Sequence, residues 1–120
     1  MHSAESITCA QIPRAETIAR LNDQLRQCGL GGKIMITQGV RALKGYNSVM
    51  LAEALAAYDH FDLANDPHGE RDFGAMQLLC SPVFWKIDYY FDGQLDYGSP
   101  DPSDATVTLR VLTVMLSSEY

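Results

Sequence analysis

Cysteine is scarce in this chain. There are three, Cys9, Cys28 and Cys80, and no two stand in C-x-x-C spacing. Such a set points to neither a disulfide framework nor a zinc knuckle, and a reducing cytoplasm is the expected setting. No apolar run approaches the roughly 20 residues of a membrane span. The N-terminus has no basic stretch followed by an apolar one, so no secretory signal is legible. Internal repeats and low-complexity stretches are also missing. Basic side chains are rare where acids are dense. Residues 59–104 hold ten acidic side chains against two bases, Arg71 and Lys86, whereas the first 58 residues hold four acids against six bases. A concentrated anionic surface disfavours direct nucleic-acid binding and favours a basic protein partner.

Apolar material is plentiful. With 120 residues, 47% of them hydrophobic and 9% aromatic, the chain can bury one core without staples. Residues 1–12 read as a loose lead-in, and 13–120 as a single α+β domain. From Pro13, the apolar positions Ile18, Leu21, Leu25 and Cys28 recur at helical spacing until Gly29 ends the helix. Lys33–Thr37 reads as a short buried strand. Asn47 or Ser48 caps a second helix, whose face is Met50, Leu51, Ala54, Leu55 and Tyr58.

Asn65-Asp66-Pro67-His68-Gly69 is turn chemistry. Two strands follow, about Phe73–Leu79 and Val83–Tyr90, joined at Ser81-Pro82. In the second, Val83, Trp85, Ile87 and Tyr89 share one face, with Trp85 expected in the main core; Phe84, Lys86, Asp88 and Tyr90 share the other. Asp92-Gly93 suits a tight hairpin into Gln94–Tyr97.

Asp101-Pro102 then opens a last helix, with Asp104 near its positive end. Ala105, Leu109, Leu112 and Leu116 form one stripe; Val107, Val111, Val114 and Met115 form another. A helix apolar most of the way round is central or covered by a partner, so a homodimer through it is one expectation. Its β-branched residues make a final strand the alternative. The expected order is α-β-α-β-β-β-α: three helices packed on an antiparallel sheet of about four strands.

Asp72-Phe73-Gly74 spells a kinase metal-binding triplet, but the companion loops of a kinase are missing. Gly29-Leu30-Gly31-Gly32-Lys33 resembles a phosphate loop, yet it follows a helix, and Ile34 stands where Ser or Thr would bind magnesium. Asp66, His68, Glu70 and Asp72 alternate, so on an extended segment they would share a face. Oxygen-rich ligands with one imidazole suit manganese, magnesium or iron. Only Asp88 offers a second segment, and a tight turn with a solvated acidic rim outweighs a metal site. A Cys80 nucleophile with His68 or His60 finds no support in the spacing. No cofactor and no catalytic residue is assigned.

The strings NDPHGERDFG (65–74), VFWKIDYY (83–90) and YGSPDP (97–102) resemble an uncharacterised bacterial family of unknown function, common in alphaproteobacteria and on their plasmids. The resemblance runs from about Ile18 to Tyr120 and carries no activity with it. It implies a cytoplasmic protein of mobile elements, often encoded beside anti-restriction genes. The expected function is a non-enzymatic protein that blocks a host defence nuclease, of anti-CRISPR or anti-restriction type. Its contacts would be Asp66, Glu70, Asp72, Lys86, Asp88, Tyr90, Asp92, Asp96 and Tyr97. The alternatives are a small metal-dependent enzyme centred on Asp66–Asp72 and an oligomeric regulatory protein using the last helix.

Overall fold

A computed structural model describes residues 12–91 and 93–120. The lead-in expected over 1–12 therefore falls, apart from Ile12, outside the described residues, as does Asp92 of the hairpin turn.

Helix α1 spans Arg14–Cys28. Ile18, Ala19, Asn22, Leu25 and Arg26 form its buried stripe, at the three- and four-residue spacing of one helix face. Gly29 adopts φ 72°, and its N–H returns to Leu25 O at 2.9 Å. A left-handed residue at this point is the role for which glycine is least strained. Strand β1, Gly32–Ile36, follows. A single helical turn, α2 (Gln38–Arg41), comes next, capped by Thr37 Oγ1. Helix α3, Ser48–Ala57, is capped by Asn47, whose side-chain oxygen accepts from Val49 N at 2.8 Å and Met50 N at 3.2 Å. Leu51 and Leu55, one turn apart, are its buried residues.

The sheet contains β2 (Phe73–Leu78), β3 (Ser81–Phe91), β4 (Gln94–Gly98) and β5 (Thr108–Leu116) together with β1. Its order is β1-β5-β3-β2, and β4 pairs with the far end of the long β3. β1 runs parallel to β5, and every other pairing is antiparallel. The molecule is thus α+β, as expected, with three helices and a mostly antiparallel sheet; the sheet has five strands, and the third helix is the short α2 instead of a terminal one.

The last element is a correction. Thr108–Leu116 is a strand between β1 and β3, not a helix. Its two helical stripes do not survive as faces: on the strand, alternate residues separate, so each stripe is split between the two sides. Leu112 and Val114 meet the helices, whereas Val111 and Met115 are buried on the opposite side. A strand buried on both faces reads as a continuous apolar run, which periodicity alone does not separate from a buried helix. The segment's valines and threonines then favour the strand. Asp101 and Asp104 are not helix caps. Asp101 accepts from Ser103 N and Oγ, and Asp104 from Thr106 N and Oγ1, closing successive turns. A central strand also leaves no apolar last helix to form a dimer.

The β2–β3 joint falls earlier than Ser81-Pro82. Leu79 and Cys80 form the turn with φ 52° and 65°, and Ser81 already pairs with Leu78. Neither residue is the glycine or asparagine that marks such turns.

Val83, Trp85 and Ile87 pack with Leu25, Leu51, Leu55, Leu112 and Val114 on the helix side. Trp85 is fully buried, edge-on to Tyr58 at 5.4 Å and to Phe61 at 6.1 Å. Gly74 faces the indole, and a Cβ there would collide with it and with Tyr58. Trp85→Ala is expected to cost about 3–5 kcal/mol, the usual range for emptying a core aromatic site. Denaturant melts measure the loss; the unmutated chain should show blue-shifted, poorly quenched tryptophan emission.

Candidate functional site

Of the four polar residues buried among the described ones, Asn22, Arg26, Asp66 and Arg110, the two deepest are Asn22 on α1 and Arg110 on β5. They meet. Arg110 Nε donates to Asn22 Oδ1 at 2.9 Å, and the Asn22 amide donates to Glu70 O at 2.9 Å and to Tyr89 Oη at 2.8 Å. Tyr89 Oη in turn donates to Glu70 Oε1 at 2.9 Å. The Arg110 guanidinium lies 5.3 Å from the Tyr89 ring centroid, and its Nη2 donates to Pro102 O. Burial lowers the Arg110 pKa, with Tyr89 and Glu70 opposing the shift. Burial is also the main reason the Tyr89 phenol is pushed well above its ordinary value, which keeps it a donor to Glu70. These groups satisfy one another. The junction ties α1, the loop before β2, and strands β3 and β5 into one unit; it is built as a clamp.

A second polar row runs beside it. Arg71 donates through Nε to both Asp23 oxygens and lies 3.6 Å from Glu16. Asp23 also receives Arg26 Nη2, while Arg26 Nη1 donates to Leu55 O and Tyr58 O. The Arg26 guanidinium sits over Phe61 and Trp85 at 5.4 and 5.7 Å.

The acidic segment 66–72 is not extended. Gly69 N returns to Asp66 O at 3.1 Å, and Gly69 and Arg71 both have positive φ. The face expected to gather Asp66, His68, Glu70 and Asp72 is therefore broken. Asp66 turns inward, and its Oδ1 accepts from Arg71 N at 3.0 Å. His68 is exposed, and Glu70 belongs to the clamp. Among the described residues no three His, Cys, Asp or Glu side chains stand close enough to share a metal ion. Asp72 titrates above the ordinary aspartate range, first because it is partly buried and then because Glu70 and Asp66 are near.

Lys86, Asp88 and Tyr90 do share the sheet face opposite the helices. Lys86 Nζ and Asp88 Oδ2 pair at 2.9 Å, along one strand instead of across two. Phe73, Phe84 and the C-terminal Tyr120 form an aromatic cluster on this face, with ring centroids 5.3–6.2 Å apart. Asp96 and Tyr97 lie apart from them, on exposed β4. There Phe91, Gln94, Tyr97, Gly98 and Pro100 line a recess of about 530 Å³.

Sequence reasoning placed Tyr89 on the correct face but missed Asn22 and Arg110 as its partners. The available signal was a polar residue inside each apolar pattern, Asn22 between Ile18 and Leu25 and Arg110 within the run from Val107 to Leu116.

A family model described as a protein of unknown function (DUF3768) matches residues 36–119. Comparison with curated proteins and with solved structures gives no match.

Asn22→Ala should cost roughly 2–4 kcal/mol in a denaturant melt. It strands the buried Arg110 Nε and removes the amide's two donated bonds, and unpaired buried groups cost about 1–3 kcal/mol each, more when charged. Asp72 behaves in the opposite sense. Its raised pKa means that the folded chain holds this proton more tightly than the unfolded one. The group's contribution is complete below about pH 4, the ordinary aspartate range, and is lost as pH rises through the raised value. Asp72→Asn should therefore raise Tm at pH 7, with the gain shrinking as pH falls through the raised value and gone below about 4; thermal melts across pH read this directly.

Proposed function

We propose a protein-binding role for this chain, which belongs to the DUF3768 family of proteins of unknown function. The binding surface is the acidic, aromatic end of the β3–β4 hairpin, continued by Asp88 and Tyr90 on the sheet face. The observation that carries this reading is the exposure of three large side chains on one hairpin: Phe91 at 36%, Leu95 at 58% and Tyr97 at 63%. Aromatic anchors of this kind dominate interface energetics. Phe91 and Tyr97 border the 530 Å³ recess, and Asp96 precedes Tyr97 in sequence. A lysine or arginine of a partner entering that recess would meet the aromatic rings of Phe91 and Tyr97.

Within this class we assign the chain to the mobile-element proteins that occupy the basic, nucleic-acid-handling surface of a host defence nuclease. Two things support the assignment: the dense acids of residues 59–104 and the family resemblance carried by the strings quoted above. The mode of action is occlusion, and it requires no reaction and no cofactor. The Glu70–Tyr89–Asn22–Arg110 set supports a non-enzymatic reading, since its members are engaged with one another.

Affinity capture identifies the partner, and titration against it tests the surface. Tyr97→Ala should weaken binding by about 30-fold, the loss of one hot-spot side chain. Asp96→Lys should slow association by about 10-fold at low salt, with the difference closing as salt rises. Both variants should melt like the unmutated chain, because the altered side chains are exposed. Unchanged affinity in both would end the proposal. A captured nuclease that keeps full activity when saturated would remove the inhibitory assignment alone.

A further inference from the structure

The opposite edge of the sheet carries a second surface, independent of the hairpin. Among the described residues strand β1 is an outer strand, paired with β5 alone. Thr37 N donates to Val114 O at 3.0 Å. Bonding alternates along a parallel pair, so Lys33, Met35 and Thr37 turn their backbone groups towards β5. Gly32, Ile34 and Ile36 turn theirs outward. The Ile36 carbonyl is taken by Arg41 Nε at 3.1 Å. The outward N–H and C=O of Ile34 meet no hydrogen-bond partner among the described residues. Proteins usually protect such an edge with proline, a bulge or inward charge. β1 has no proline and pairs with β5 in unbroken register, and its single charge is Lys33.

The side chains of the same residues complete the feature. Ile34 and Ile36 point to the helix side, where they form a groove of about 240 Å³ with Arg26, Cys28, Leu51 and Leu55. Ile34 remains 39% exposed and Met35 55%. A strand laid along β1 would take up the free backbone groups and drop alternate side chains into this groove, between the strand edge and α3.

We propose that β1 and this groove accept an extended segment of a partner protein, apolar at alternate positions and flanked by acidic residues. Charge selects this occupant over a second copy of the chain. Lys33 lies on the strand, and Arg41 is anchored at its end. From Gly29 to Tyr58 the chain holds Lys33, Arg41 and Lys44 against one acid, Glu53. An antiparallel pairing of two β1 strands would bring the Lys33 and Arg41 of both copies together, whereas acidic flanks would neutralise them.

A displayed random peptide library selected on the full chain tests the proposal, followed by affinity measurement on the enriched peptides. Enrichment of alternating apolar sequences with Asp or Glu flanks is expected. Ile34→Pro removes the outward N–H and spares the bonds of β1 to β5, a position where strands tolerate proline. Ala52→Glu obstructs the groove from the exposed side of α3. Each should weaken the enriched peptide by at least about 10-fold, and the Ile34 amide should become protected from hydrogen exchange only in the complex. If Ile34→Pro does not fold, Ala52→Glu and the Ile34 amide decide. The proposal is overturned by no enrichment, by peptides that bind both variants equally, or by enriched peptides with basic flanks. It also fails if Ile34 is already protected in the isolated chain, which would mean that the chain fills its own groove. A concentration-dependent dimer lost on Ile34→Pro would make a second copy the occupant.

Discussion

The fold depends on holding the Arg110 guanidinium indoors. Arg110 is almost fully buried, and among the described residues no carboxylate bonds to it directly. Its charge is accommodated by the oxygens of Asn22 and Pro102, by the Tyr89 ring, and at one remove by Glu70. A buried cation is costly unless such partners are all in place. Four parts of the chain must therefore arrive together. Helix α1 has to present Asn22 at the height of β5, the loop before β2 has to deliver Glu70, β3 has to face Tyr89 inward, and the 99–107 segment has to set the Pro102 carbonyl. Apolar packing around Trp85 and Leu112 supplies the driving force for collapse, but it is nearly indifferent to a small slip of one element over another. The clamp is not indifferent, and it fixes the register of the helix layer on the sheet.

The same economy accounts for part of the acidic composition. Asp62, Asp66, Asp101 and Asp104 each accept backbone N–H groups two to five residues along the chain. The stretches 58–72 and 99–107 lack regular structure, so their amides need local acceptors, and aspartate is well shaped for that task. A dense run of acids is thus in part a run of loop fasteners. A carboxylate accepting hydrogen bonds keeps its charge, however, so the long-range field of the segment survives this local use. Structure and electrostatic steering draw on the same side chains, and composition alone does not separate the two.

How far the fold can be read from residues follows from how local each cause is. Helix α1, its glycine stop, the Asn47 cap and the two faces of β3 were legible, because each depends on neighbours within a few positions. The last strand was not. Its two buried faces erase the alternation that marks a half-exposed strand, and what remains is an apolar run that fits a buried helix equally well. The Leu79-Cys80 turn gave no signal because its backbone is imposed by the pairing of β2 with β3. The candidate metal-binding face failed for a related reason. Alternation places side chains together only on an extended chain, and the positive φ values of Gly69 and Arg71 break that extension. For the candidate site, Lys86, Asp88 and Tyr90 were found on one face because strand parity fixes it. Asn22 and Arg110 stand 88 residues apart, and nothing local announces that they will meet.

The arrangement of the sheet gives its two edges different chemistry. β5, buried on both sides and paired on both edges, is closed to partners. Contact with other molecules is left to the outer strands. On one side these are β2 and β4, where exposed rings stand among carboxylates. On the other is β1, where unpaired backbone groups border an apolar groove with lysine and arginine close by. The clamp lies between them, and through Asn22, Tyr89 and Arg110 it joins α1 to β3 and β5. Each edge is thereby built on elements held to the same junction. Two chemically opposite margins thus stand on one centre. This follows from the position of β5: a terminal helix, the other reading of those residues, would have left the centre of the sheet without the strand that separates the margins.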